Sequence, residues 1–235
     1  MHVSNILINL DIKIMRTSID TIPLRSTLQW LPTLYFAQGF PFYIALVLST
    51  VMYKSLGMSN TYIIFIGSLF YLPWSLKPLL SCLIEGFSTK RQWIIMIEII
   101  LAACLLLVAL SLELPYYTTL SFLMLLAFCF LAAMHDISID GYYLLKLNTQ
   151  ERHQTLGYRN GGYECSQFVC NCVLVAILGW LELSFNTKTA WAITWGLSSA
   201  IIICLYWWHK KKLSIIEEPQ SKELTWRRLK ITATN

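Results

Sequence analysis

Ala132–Phe168 reads AAMHDISIDGYYLLKLNTQERHQTLGYRNGGYECSQF. It sets His135, Asp136, Asp140, Arg159 and Glu164 between two apolar runs, Tyr117–Leu131 before it and Val169–Leu181 after it. Runs of that kind predict membrane spans, and a charge at the bilayer centre costs about 2.5–3.5 kcal/mol on insertion scales. Charged groups so placed face protein or a water-filled path rather than lipid. The rest of the chain is read outward from this block.

Of the 235 residues, 56% are hydrophobic and 13% charged, and the mean hydropathy is +0.56. A soluble domain carries about 25% charged residues, so this chain lacks a surface to show to water. It is predicted to be an all-α membrane protein, with the lipid bilayer as its first partner. The net charge of +5 follows from basic residues beside the spans and calls for no nucleic-acid partner. All seven cysteines lie in or beside apolar runs and read as small buried hydrophobes rather than disulfides. Cys170 and Cys172 are two apart and point to different helix faces, so a metal pair is not expected. No phosphate loop, dinucleotide glycine fingerprint, zinc spacing or nucleophile elbow is present. The chain therefore reads as neither an enzyme nor a cofactor-binding protein.

Six spans are predicted over Leu28–Tyr53, Thr61–Leu83, Trp93–Leu112, Tyr117–Leu144, Gly157–Leu181 and Thr189–Trp208. Each is near the roughly 20 residues that cross the hydrocarbon core. Their short connections suggest hairpins of adjacent helices. Residues 1–27 carry Asp11, Lys13, Arg16, Asp20 and Arg25, with no apolar core of a signal peptide, and read as a cytoplasmic tail. Met15 is an alternative start. Residues 28–208 form the transmembrane domain and 209–235 a second cytoplasmic tail, polar and charged. With the N-terminus inside, the inner segments hold Lys13, Arg16, Arg25, Lys90, Arg91, Lys146, Arg152 and Lys210–Lys212, against Lys54 and Lys188 outside. That asymmetry predicts both termini cytoplasmic.

Within span 1, Gln38-Gly39-Phe40-Pro41 predicts a kink or unwinding at the proline. A packing kink and a break that frees backbone for a ligand both fit. Tyr35 and Gln38 share a face just before it and are candidate solute contacts, although packing explains the tyrosine equally well. Lys77 in Tyr71-Leu-Pro-Trp-Ser-Leu-Lys-Pro78 reads better as a lysine snorkelling to headgroups than as a ligand for solute. Glu98 in span 3 must face protein, stay protonated or pair with a base. Span 6 shows no charged group before Lys210 and reads as a packing helix.

Asp136 and Asp140 are four apart and share a face of span 4. A tight hairpin between spans 4 and 5 sets Asp140 level with Arg159, and Asp136 level with Glu164, with His135 adjacent. Two close carboxylates in a poorly solvated place cannot both ionise cheaply, so one holds a proton. That is the chemistry of a proton-coupled carrier. A structural alternative is that Asp140 and Arg159 only staple the hairpin. Gly157 and Gly161 offer a small-xxx-small contact for helix packing.

Three blocks resemble a known family: LPTLYFAQGFPFYIALVLSTVMYKSLGMSNTYI from Leu31, YLPWSLKPL from Tyr71, and HDISIDGYY with GYRNGGYECSQF. They are similar to the AmpG-like permeases, bacterial major facilitator carriers that import cell-wall fragments. Those carriers show motifs resembling (Q/H)-D-x-x-x-D at the end of the fourth span and G-Y-R-x-G at the start of the fifth. Glu85-Gly-Phe-Ser-Thr-Lys90-Arg91 resembles the superfamily's loop between spans 2 and 3, although its acid precedes the glycine and a second glycine is missing. The resemblance covers roughly Trp30–Leu183. It implies proton-driven symport of a muropeptide-like or other polar solute across a bacterial inner membrane, with Asp136, Asp140 and Arg159 as functional residues. Such carriers have at least twelve spans, and six are present here. The expectation is therefore the N-terminal half of a carrier, working with a second six-helix half or as a homodimer. The alternative is a half-carrier remnant that binds a partner without transporting. An intramembrane metal enzyme built on His135 and the two aspartates is remote, since a third ligand at helical spacing is missing.

Overall fold

The computed structural model describes residues 24–215; most of the two expected tails lies outside the described residues. These residues are almost entirely helical, with no strands. Five helices are long and apolar enough to cross a bilayer, or six if one bent pair counts as a single span. Span 1 covers Leu31–Ser55, span 3 Lys90–Ser111, span 4 Tyr117–Lys146, span 5 Thr149–Glu182 and span 6 Thr187–Lys212. Span 2 is the bent pair, Asn60–Ser75 followed by Lys77–Phe87, with a bend of 48°. Pro73 lies in the last turn before the bend, and Pro78 opens the helix after it. Each removes a backbone donor, so the hydrogen-bond ladder is weakest between them.

Helix starts follow from side chains that satisfy the first free N–H groups. Ser59 accepts from the Tyr62 amide at 3.3 Å, and Asn186 accepts from that of Thr189 at 2.9 Å. Asn148 and Glu151 form a reciprocal capping box. That box makes Thr149–Leu156 helical, two turns earlier than the apolar run begins. Span 1 ends at Gly57, whose φ of +82° suits glycine.

The backbone is not unwound at Pro41. The helix continues through it and then widens into a π turn over Ile44–Leu48 before resuming at Ser49. A π turn absorbs one extra residue per turn, which accommodates the missing proline donor without opening the backbone. Span 5 has its own π turn over Val169–Leu174, and the two wide turns pack on each other. Beside them the Cys170 thiol approaches the Phe40 carbonyl at 3.8 Å.

Span 5 packs mainly on span 1, and touches span 4 little. This corrects the expected hairpin of adjacent spans 4 and 5. Its cause is steric. A Cβ built on Gly162 would stand 2.3 Å from the backbone oxygen of Pro32, and one on Gly39 would stand 2.2 Å from Ser166 Oγ. Hydrogen at these two positions lets spans 1 and 5 come together. Gly157 and Gly161 meet nothing within 4 Å, so the small-residue contact is made by Gly162 instead. Gly162→Ala is expected to destabilise the folded chain by about 1–3 kcal/mol, the usual cost of overpacking, because a backbone oxygen cannot step aside. Gly161→Ala is expected to be neutral. Unfolding of the purified variants in detergent measures both.

Spans 3 and 4 pack along each other, as do spans 3 and 6, while span 4 also meets spans 1 and 2. One large apolar cluster runs through the bundle, including Phe40, Leu48, Phe128, Trp191 and Trp195. A smaller one, including Trp30, Tyr35, Ile139, Tyr142 and Tyr143, seals the end where Arg91 donates to the carbonyls of Leu213 and Lys210 at 2.8 and 3.0 Å. The outward faces of spans 2 and 3 show Ile64, Phe65, Leu79 and Leu110, suited to lipid tails. Span 5 exposes Leu156, Phe168 and Trp180 but also Gln154, Asn160 and Glu164, polar groups that are not suited to lipid.

Candidate functional site

Span 4 supplies two acids, and each meets a base from a different span. The Lys77 ammonium, at the bend of span 2, forms an ion pair with Asp136 Oδ2. Arg159 Nη2 of span 5 stands 3.5 Å from Asp140 Oδ1. Span 1 bridges the two acids. Gln38 donates through Nε2 to Asp136 Oδ1 and also reaches Asp140 Oδ2 at 3.4 Å. The Tyr35 hydroxyl donates to Asp140 Oδ1 at 3.1 Å.

The arginine is held by rings as well as charge. Its guanidinium lies 4.6 Å from the centroid of Tyr35 and 5.2 Å from that of Tyr143, both within range of cation–π attraction. Those two rings meet edge to face at 5.6 Å. Tyr35, Gln38, Arg159, Asn160, Tyr163 and Glu164 together line a small polar cavity of about 130 Å³. Gln38 Oε1 is buried and accepts no hydrogen bond from the described residues. That oxygen is a free acceptor beside two ion pairs.

Burial separates the two pairs. Only 10% of the Asp136 side chain is exposed, against 41% for Asp140. Losing the partner of a buried charge is costly, about 3–5 kcal/mol, because an uncompensated charge remains. An exposed pair contributes about 0–1 kcal/mol. The Lys77–Asp136 pair therefore dominates the electrostatics.

The structure brings together Asp140 and Arg159, as the spacing along spans 4 and 5 suggests, and adds Tyr35 and Gln38 of span 1 as direct partners of the two acids, a contact the spacing does not suggest. It does not pair Asp136 with Glu164. Because span 5 leans on span 1, Glu164 is turned into the cavity wall, and the partners of Asp136 are Lys77 and Gln38. Lys77 thus does not snorkel to headgroups; the bend in span 2 aims it inward, where an acid lies. His135 also departs from its expected company. It is buried at 1% exposure, with Nε2 standing 3.6 Å from Glu98 Oε1.

Sequence reading missed His209. It sits in the last turn of span 6 and meets Glu98 Oε1 through Nδ1 at 2.5 Å, with both side chains at most 1% exposed. The signal was available: Glu98 in an apolar span demands a partner, and His209 follows Trp207-Trp208 at the span's edge.

No curated protein and no solved structure matches this chain. One family model, the BT1 family, matches residues 37–226, a stretch that takes in most of span 1, all of spans 2–6, and each charged residue of the site just described. The family comprises transporters rather than enzymes. With an all-helical bundle of five or six apolar spans and a polar, charge-paired cavity within it, the chain belongs to the BT1 family, membrane transporters of the major facilitator type.

Proposed function

We propose that this chain is one half of a proton-linked secondary carrier, with the cavity between spans 1, 4 and 5 forming part of the solute path. One observation carries the reading: two acids on span 4 are each paired with a base from another span, beside a polar cavity. Ion pairs between helices can hold one packing arrangement and release another when a proton or solute arrives. The solute is polar and of muropeptide-like chemistry, able to donate to Gln38 Oε1 and to engage Arg159 and Glu164. The carrier is a bacterial inner-membrane symporter related to AmpG-like permeases.

In this reading the side of span 5 that carries Asn160 and Glu164 beside the cavity is covered by a second six-helix half, or by a second copy of the chain. Solute sites of such carriers lie between two halves. Residues 1–27 and 209–235 are cytoplasmic tails flanking the transmembrane domain, both on the side where Arg91, Lys146 and Lys210–Lys212 gather. Asp136 is the proton-coupling group, with Asp140 and Arg159 gating and His135 and Glu164 assisting.

The test is reconstitution. Alone in proteoliposomes as a monomer, the chain is expected not to accumulate muropeptides down a proton gradient, for want of an opposite wall. Accumulation by the monomer would overturn the half-carrier reading. Orientation is tested by cysteines placed in Lys54–Asn60, Glu113–Pro115 and Glu182–Lys188 of a cysteine-free chain. They are expected to react with an impermeant thiol reagent on intact cells, and labelling at Lys210–Lys212 instead would invert the topology.

A further inference from the structure

The carrier reading gives no role to Glu98 of span 3 or His209 of span 6, which cluster with His135 of span 4, each at most 1% exposed. Thr33 of span 1 completes it, with Oγ1 at 3.2 Å from His209 Nε2. Glu98 lies eight residues inside the start of span 3, about 12 Å along the helix. Around it stand apolar groups, among them Ala37, Phe40, Ile202 and Leu205. Charges flank it on both sides: Asp136, next in sequence to His135, with the Lys77 ammonium that pairs with it, and Lys210, next in sequence to His209, with Arg91 donating to its carbonyl.

Hydrogen positions follow from what each atom can do. The Thr33 hydroxyl donates to the Trp30 carbonyl at 2.9 Å, so only its lone pairs face His209. Nε2 of His209 must then carry a hydrogen and donate it. On the other side of the ring, Nδ1 lies 2.5 Å from Glu98 Oε1. A proton has to sit between them, on nitrogen or on oxygen. Without it, a carboxylate would face a nitrogen lone pair at contact distance, in a site shut off from water, at the cost of an unpaired buried charge.

Glu98 Oε1 has a second imidazole beside it. Neither nitrogen of His135 hydrogen-bonds a described residue, and its Nε2 stands 3.6 Å from that same oxygen. A buried imidazole with both nitrogens unused is expensive as a packing residue. As a proton acceptor it has a use: the proton leaves the Glu98–His209 contact and binds Nε2 of His135, one residue from Asp136.

We propose that Glu98, His209 and His135 form an internal proton-binding site, separate from the Lys77–Asp136 pair, whose proton fastens span 6 to spans 1 and 3. The ligand is the proton itself. With the proton in place, Glu98, His209 and Thr33 join three spans through one ring. When it moves to His135, the bond between spans 3 and 6 is lost, and the charge change is delivered beside the acid that meets Lys77. The inference rests on the chain's role as a proton-linked carrier, but the site itself is detectable without any solute.

The experiment is a pH titration of the purified full chain in lipid nanodiscs, followed by NMR of ¹⁵N-labelled histidine. The chain has four histidines, and His153, exposed in the first turns of span 5, serves as the internal reference. His135 and His209 are expected to titrate together, as one coupled pair. Glu98→Gln keeps the shape and removes the shared oxygen's charge, and is expected to change the proton affinity of both by about tenfold or more, one pH unit. His135→Gln, which leaves the Glu98–His209 contact in place, is expected to change that of His209 by a similar factor if Glu98→Gln does not fold. Independent titration of His135 and His209, or affinities unmoved by either variant, would overturn the proposal. Since no transport is measured, failure here would leave the carrier reading standing, and failure of uptake would leave this site standing.

Discussion

Lys77→Met is expected to cut the amount of chain in the membrane several-fold and to abolish transport by the assembled carrier. It leaves Asp136, 10% exposed as a side chain, without a counter-charge between spans 2 and 4. Unpairing a buried charge costs about 3–5 kcal/mol, and the partial exposure of Lys77 places the expected loss near the lower end. The diagnostic step is the double variant. Lys77→Met with Asp136→Leu removes both charges and is expected to restore membrane abundance while transport stays lost. Arg159→Ala is expected to cost much less, about 1 kcal/mol or below, since Asp140 remains half in reach of water and an exposed pair contributes little. Immunoblots of membrane fractions and unfolding in detergent measure all three. Equal losses for Lys77→Met and Arg159→Ala would show that burial does not rank the two pairs.

The second large effect concerns coupling. Asp136→Asn is expected to abolish accumulation of solute against a gradient by the assembled carrier, while exchange of solute across the membrane continues. The asparagine keeps a hydrogen-bonding partner for Gln38 but removes the charge that Lys77 meets, so it mimics the protonated acid in every pH. Exchange should accordingly lose its dependence on pH. Preloaded vesicles assayed with and without a proton gradient separate the two activities. Full gradient-driven accumulation by Asp136→Asn would move coupling elsewhere, to the Glu98 cluster or to Glu164.

How far the sequence discloses these features depends on which physical signal each one uses. The spans are legible because about 30 Å of hydrocarbon demands a long apolar run; their ends differ from expectation where polar turns are helical too. Span 5 begins at Thr149 rather than near Gly157 because Asn148 and Glu151 cap it, a local pattern that hydropathy ignores. Asp140 and Arg159 meet as counting along a hairpin suggests. The pairing of Asp136 with Glu164 fails because the count assumes neighbouring helices face each other, whereas Gly39 and Gly162 draw span 5 onto span 1. Lys77 escapes prediction because its direction is set by a bend between two prolines. His209 escapes because its partner lies 111 residues away, and no local pattern records such a distance.

The measurement that bears most directly on the central claim is water access to the face of span 5. Glu164→Cys, placed in a cysteine-free chain, is compared with Ile100→Cys midway along the outward face of span 3, where the isoleucine is 37% exposed. Both are treated with a membrane-impermeant thiol reagent in intact cells and in inverted membrane vesicles. If the cavity of Tyr35, Gln38, Arg159 and Glu164 belongs to a solute path, Glu164→Cys is labelled from at least one side and Ile100→Cys from neither. A Glu164→Cys chain as unreactive as Ile100→Cys from both sides would contradict the account.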